Sequence, residues 1–223
     1  MKKDLQAKSI FILLFAIVGL ISMQIPFTHL MGSKVSFTLF DFFGPVAGAF
    51  LGPLLGVFTV LAVELVNLAM KPGVVDTGVI IRLFPMLAAT YYFAVFSKNK
   101  NQNRTILLVP LTAMVVFILH PIGRAVWYFS LFWLIPVIAY FKRDNLFVKS
   151  LGSTFTAHAV GGAAWIWAFN LPVQVWNSLI PIVIQERLLF AVGISVSYFV
   201  LNQALKWLIA KKILPEMKLT ATS

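Results

Sequence analysis

Long apolar runs separated by short polar breaks set the pattern of this chain. The first run extends from about Ser9 to Leu30 and ends at Gly32, Ser33 and Lys34. A second, apolar but for a few polar residues such as Asp41 and Glu64, runs continuously from Phe37 to Met70, closed by Lys71, Pro72 and Gly73. Further runs cover Val79–Phe96, Ile106–Leu119, Val126–Phe141, Phe147–Phe169 and Trp176–Ile209. A helix needs roughly 20 apolar residues to cross the hydrocarbon core of a bilayer. The pattern therefore predicts an all-α, polytopic transmembrane helix bundle forming one domain over residues 1–223. The last run is long for one crossing, and Pro181 predicts a kink or a short interfacial piece near its start. The N-terminus begins like a signal peptide, basic and then apolar. It lacks an A-x-A-like cleavage site, so it reads as a retained first helix.

The stretch from Phe37 to Met70 is too long for one upright helix and slightly short for two. Charge decides between them. The dense basic clusters are Lys2, Lys3 and Lys8; Lys98, Lys100 and Arg104; Lys142, Arg143 and Lys149; and Lys206, Lys211, Lys212 and Lys218. Cytoplasmic loops collect Lys and Arg. With a cytoplasmic N-terminus, all four clusters fall inside only if residues 37–70 cross twice, as a tight hairpin turning near Gly52–Pro53. That reading gives about eight membrane segments (six to eight), both termini cytoplasmic, and a multi-pass protein of the plasma membrane. Within the hairpin, Gly44, Gly48, Gly52 and Gly56 recur every fourth residue, and Pro45 and Pro53 each follow one of them. Such glycines let helix backbones approach closely and make a packing face for another helix. Prolines break the helix, which could instead line a site.

Composition agrees with the pattern. The chain is 60% hydrophobic and 11% charged, where a soluble domain averages about 25% charged. The net charge of +11 comes from short clusters between apolar runs. It therefore reads as topology rather than as a nucleic-acid surface. There is no cysteine, which removes disulfides, thiolate metal sites and cysteine nucleophiles. No metal or cofactor is expected.

Under this topology most polar residues within the runs fall in the outer half. They are Asp41, Glu64, Asn67, Arg82, His120, Trp165, Asn170 and Trp176, with Asp76 and Arg124 in outer turns. His158 and the adjacent Glu186–Arg187 lie deeper. Charges in a bilayer are costly and face a partner or a cavity. Mutual pairing, an aromatic belt and, for His158, simple core packing are the structural readings. Glu186 and Arg187 project in different directions on a helix and are each expected to need another partner. Taken together, the outer set suits capture of a small polar or aromatic solute. Asp41, Glu64 and Arg82 would orient it, and Trp165 and Trp176 would cover it.

The stretch FTLFDFFGPVAGAFLGPLLGVFTVLAVELVNL resembles the second and third helices of the substrate-binding S components of energy-coupling factor (ECF) transporters. Those carry a comparable Gly/Pro-rich hairpin and often an acidic residue near the end of the third helix, here Glu64. The resemblance implies a vitamin-capture subunit working with a transmembrane coupling subunit and ATPase subunits. The family usually has six helices, and the first helix here lacks its AxxxA small-residue motif.

Other classes compete with this reading. A secondary transporter could use Asp41 or Glu64 to carry a proton or cation. An envelope assembly subunit would need only the glycine stripes. An intramembrane enzyme would need a catalytic constellation, and neither HExxH nor GxSxG is present. No GxxxxGK[ST] loop is present either, so any ATP use would come from partners.

Overall fold

The computed structural model describes residues 2–29, 36–70, 75–95, 104–142 and 144–213. Leu30, Lys34, Lys71, Pro72, Gly73, Lys98, Lys100, Arg143 and Lys218 lie outside the described residues. The helices are α1 (Lys2–Ser22), α2 (Val46–Leu51), α3 (Pro53–Met70), α4 (Thr77–Val95), α5 (Leu108–Leu119), α6 (Pro121–Ala125), α7 (Ile135–Phe141), α8 (Leu146–Phe169) and α9 (Val173–Ala210). Short 3-10 helices precede three of these segments, at Leu39–Phe42, Arg104–Leu107 and Trp127–Leu134. Strands β1 (Pro26–His29) and β2 (Ser36–Thr38) pair antiparallel.

Among the described residues, four helices are long and apolar enough to cross a membrane: residues Asp4–Ser22 of α1, α3, α4 and α9. Their outward faces carry exposed large apolar residues, among them Leu13, Val18, Leu54, Phe58, Phe84, Val196 and Phe199. Polar side chains such as Thr90, Ser150, Ser153, Thr156 and Arg187 are instead buried. An apolar coat around a partly polar interior is the arrangement of a membrane-embedded protein.

Several short segments gain length from their geometry. The Trp127–Phe141 segment has only 15 residues, but its first eight are 3-10. At about 2.0 Å rise per 3-10 residue it reaches about 26 Å, near hydrocarbon thickness. The expectation of one α-helix over Val126–Phe141 is corrected accordingly. Pro136 at the second position of α7 lacks the amide that an α-helix running on from Trp127 would need. α9 runs unbroken through Pro181 for 38 residues. Pro181 is its ninth residue and removes a single intrahelical amide bond, the one to the Asn177 carbonyl. At 1.5 Å per residue α9 is about 57 Å long, almost twice the hydrocarbon thickness.

The all-α expectation also meets one exception. The first helix stops at Ser22 and the chain turns into the β1–β2 ribbon, rather than remaining helical to Leu30. Pro26 cannot continue a helix, and the Ser22 hydroxyl bonds back to the Gly19 carbonyl at 2.8 Å. The pairing is irregular, with Pro26 opposite Thr38 and Thr28 opposite Phe37.

Glycine decides how the helices meet. Gly52, with φ +85°, ends α2. Gly44 faces Met86, and Gly48 faces Thr90 and Ala94, so α2 runs alongside α4 in the same direction. α3 joins α4 through a short connection and packs antiparallel to it, so the chain reverses at Gly52. A Cβ on Gly56 would sit 2.6 Å from the Gly48 Cα. Gly44, Gly48 and Gly56 are thus used in packing within this chain. α8 occupies the centre, packed against α4, α5, α7 and α9. A Cβ on Gly162 would lie 2.7 Å from the Trp133 ring, and one on Gly161 3.3 Å from Pro85. In lipid, helix association rests on such close contacts, because apolar burial adds little.

Candidate functional site

Three helical stripes enclose one cavity. α4 contributes Ile81, Arg82, Pro85, Met86 and Ala89, and α8 contributes Thr154, Ala157, His158, Gly161, Gly162 and Trp165. α9 contributes Trp176, Leu179, Val183, Glu186, Arg187, Phe190 and Ile194. The spacings of three and four residues place each set on one face of its helix. Phe37, Asp41 and Pro45, between the ribbon and α2, complete the wall. The cavity holds about 120 Å³ and is partly open. That is somewhat less than a roughly 150 Å³ apolar cavity that accepts benzene. It suits a solute built on about one small ring.

One part of the wall is ionic. Arg82 Nη2 lies 3.2 Å from Asp41 Oδ2 and donates to the Ser36 carbonyl at 3.2 Å. Asp41 Oδ2 also accepts from the Thr38 amide at 2.7 Å, closing a capping box at the start of the 3-10 helix. Its position is therefore set by local backbone geometry and not by the cation alone. Arg187 is buried. Its Nη1 donates to Thr154 Oγ1 at 3.3 Å and its Nη2 lies 3.4 Å from Glu186 Oε2. Adjacent Glu186 and Arg187 thus touch, contrary to the expectation from helix geometry. Both side chains are long enough to bend back over the shared backbone.

Phe37 is in contact with both guanidinium groups. Arg82 is 4.6 Å and Arg187 4.7 Å from its ring centre. Arg187 also stacks at 4.6 Å on Phe190, which meets Phe37 edge-on at 5.2 Å. Guanidinium groups prefer aromatic faces, more so when water is excluded. These contacts hold two like charges near one ring.

The remainder of the wall is aromatic or apolar. Trp176 donates to the Leu171 carbonyl at 3.2 Å and meets Phe117 and Phe129 edge-on. Trp165 packs on Phe169 with centroids 4.3 Å apart. His158 Nδ1 accepts from Trp133 Nε1 at 3.0 Å.

Of the residues expected from sequence, the cavity brings together Asp41, Arg82, Trp165 and Trp176. Four others lie elsewhere. Asn67 bonds Gln24 at 2.9 Å, tying the end of α3 to the end of α1. His120 caps α6 through a 3.3 Å bond from the Ile122 amide and meets Trp167 edge-on. Asn170 ends α8 in a left-handed conformation, φ 49°. Glu64 is buried outside the cavity wall, with Oε2 unpartnered among the described residues and Arg82 and Asp41 within electrostatic range. Phe37, Thr154, His158, Glu186, Arg187 and Phe190 were not among the expected site residues. Except for Phe37, their helical spacing on α8 and α9 was the available signal. A second, larger groove of about 380 Å³ lies between α1 and the later turns of α9. Its lining from Phe11 to Leu208 is apolar except for Ser197.

No family model matches the chain, and no solved structure matches it. An uncharacterized protein of Methanocaldococcus jannaschii is 26% identical over 211 residues, covering 86% of this chain and 69% of that protein.

Proposed function

We propose that this chain is an integral membrane small-solute capture protein, multi-pass in the plasma membrane, with an outward-facing site. The observation that supports this most is the cavity enclosed by α4, α8 and α9. The Asp41–Arg82 and Glu186–Arg187 pairs share its wall with the rings of Trp165 and Trp176. A few polar groups on an apolar, ring-lined wall are what a small-molecule site requires.

The reading has about eight membrane segments and both termini in the cytoplasm. The segments are α1; the 3-10 turn with α2; α3; α4; α5; the Trp127–Phe141 segment; α8; and α9. The β1–β2 ribbon and the α8–α9 turn then face outward, at the end where the cavity lies. In the fuller form of the proposal the chain is a vitamin-type S component. A transmembrane coupling subunit and ATPase subunits would supply the energy. The Gly/Pro hairpin reversing at Gly52 supports that form.

The test is mass spectrometry of protein purified in mild detergent. A stoichiometric co-purified small molecule is expected, lost in Trp176→Ala. A wild-type protein that carries none, and that binds none of a library of vitamins and metabolites, would refute capture. Uptake that requires a proton or sodium gradient, and no coupling subunit, would favour the secondary-transporter reading.

A further inference from the structure

We infer that the solute presents a hydrogen-bond acceptor, a carboxylate or a polarised carbonyl, to Arg187 and His158 at the inner end of the cavity. This rests on the capture reading above and adds the chemical class of the solute.

The inference follows from which polar groups of the wall are already committed. Asp41 is engaged by the Thr38 amide and hydroxyl and by Arg82. Glu186 engages Arg187 through Oε2, leaving Oε1 as the acceptor without a partner among the described residues of the wall. The uncommitted donors outnumber it. Arg187 is buried, lines the cavity, and has its Nε–H unpartnered among the described residues. An unpaired donor on a buried cation is costly to leave unsatisfied. His158 is the second. Indole Nε1–H is a donor only, so the bond from Trp133 requires an unprotonated Nδ1 on His158. In the neutral ring the proton then sits on Nε2. Nε2–H has no partner among the described residues, on a side chain that lines the cavity.

His158 and Thr154 are one helical turn apart on α8, and Thr154 accepts from Arg187. The Arg187 and His158 donors therefore share one region of the wall. Trp165 and Trp176, near the α8–α9 turn, would cover the apolar body of the solute. Trp133 is in this account a positioning residue. It touches no solute but holds the His158 tautomer that donates.

The test uses the full-length protein in detergent and calorimetric titration with one-ring probes: benzoate, benzaldehyde, benzylamine and toluene. Benzoate is expected to bind about tenfold or more tighter than benzylamine or toluene, in line with a charge-assisted bond. His158→Leu should weaken benzoate about tenfold and leave toluene unchanged, while His158→Gln, which keeps a donor, should recover most of the affinity. Substitution of the buried, ion-paired Arg187 perturbs packing as well as the site, so the wild-type probe series carries the test without it. Benzylamine binding as well as benzoate, or equal binding of all four probes, would overturn the acceptor inference and leave the capture site standing. Binding of none of them would overturn both.

Discussion

Arg82→Gln is the substitution whose cost can be worked most fully from geometry. It removes the 3.2 Å ion pair to Asp41, the 3.2 Å bond to the Ser36 carbonyl and the stacking on Phe37. Asp41 is left as a carboxylate whose side chain is 10% exposed. Breaking a buried pair from one side costs about 3–5 kcal/mol, because the other charge stays buried without its partner. Asp41 keeps its two bonds from Thr38, which places the cost near the lower end, at about 3 kcal/mol. Asp41→Asn should cost less, since the cation it leaves is more exposed and keeps the Ser36 carbonyl and the Phe37 ring. The double variant should cost clearly less than the two singles together, with a coupling energy of about 1–2 kcal/mol. The assay is reversible unfolding in mixed detergent micelles, comparing wild type, both singles and the double. Single costs that add to within about 0.5 kcal/mol would refute an energetic pair. The short distance would then reflect position alone.

Other predictions concern packing and the separation of site from scaffold. Gly48→Leu should destabilise by about 2–3 kcal/mol, since even a Cβ there would lie 2.8 Å from Ala94; unfolding midpoints in detergent test this. Gly52→Ala meets nothing within 4 Å, so its cost is backbone strain alone, about 1–3 kcal/mol. A cost below 0.5 kcal/mol in the same assay would show that α2 ends differently. His120→Ala should lose about 1 kcal/mol with its cap and leave solute affinity unchanged; a tenfold loss of affinity by titration would put His120 in the site after all. Phe37→Leu removes two guanidinium contacts and a ring contact. It should cost about 2–3 kcal/mol, read from unfolding, and also weaken solute binding.

How much of this was legible before the structure depends on the kind of signal. Apolar runs report lipid-facing helices directly, because each exposed face must match the bilayer. The turn at Gly52 was legible too, since Gly-Pro between two apolar arms has few other uses. Depth along a helix could be estimated from the same runs, but depth does not say which face a residue is on. Asn67, His120 and Asn170 stand near the ends of their apolar runs, where depth alone groups them with the site, yet they fasten helix ends. Sorting by helical face would have gathered Thr154, Ala157, His158, Gly161 and Trp165 on α8 and linked them to Arg187 on α9. The role of Phe37 had no local signal. It is one apolar residue among many, and only the folded chain brings Arg82 and Arg187, 105 positions apart, to its ring. The β1–β2 ribbon was hidden because the apolar character of Ile25 and Phe27 continues the first helix in composition but not in backbone geometry.

The central claim is a water-accessible, outward-facing solute cavity between α4, α8 and α9. The chain contains no cysteine, so a single Ala157→Cys reports on the cavity wall without further changes. A membrane-impermeant, charged thiosulfonate added outside intact cells should label it, and bound solute should slow that labelling. Leu111→Cys, on an exposed apolar face of α5, should stay unlabelled, because a thiol in lipid does not form the reactive thiolate. Labelling of Ala157→Cys only in inverted vesicles, or no faster than at Leu111→Cys, would contradict the account.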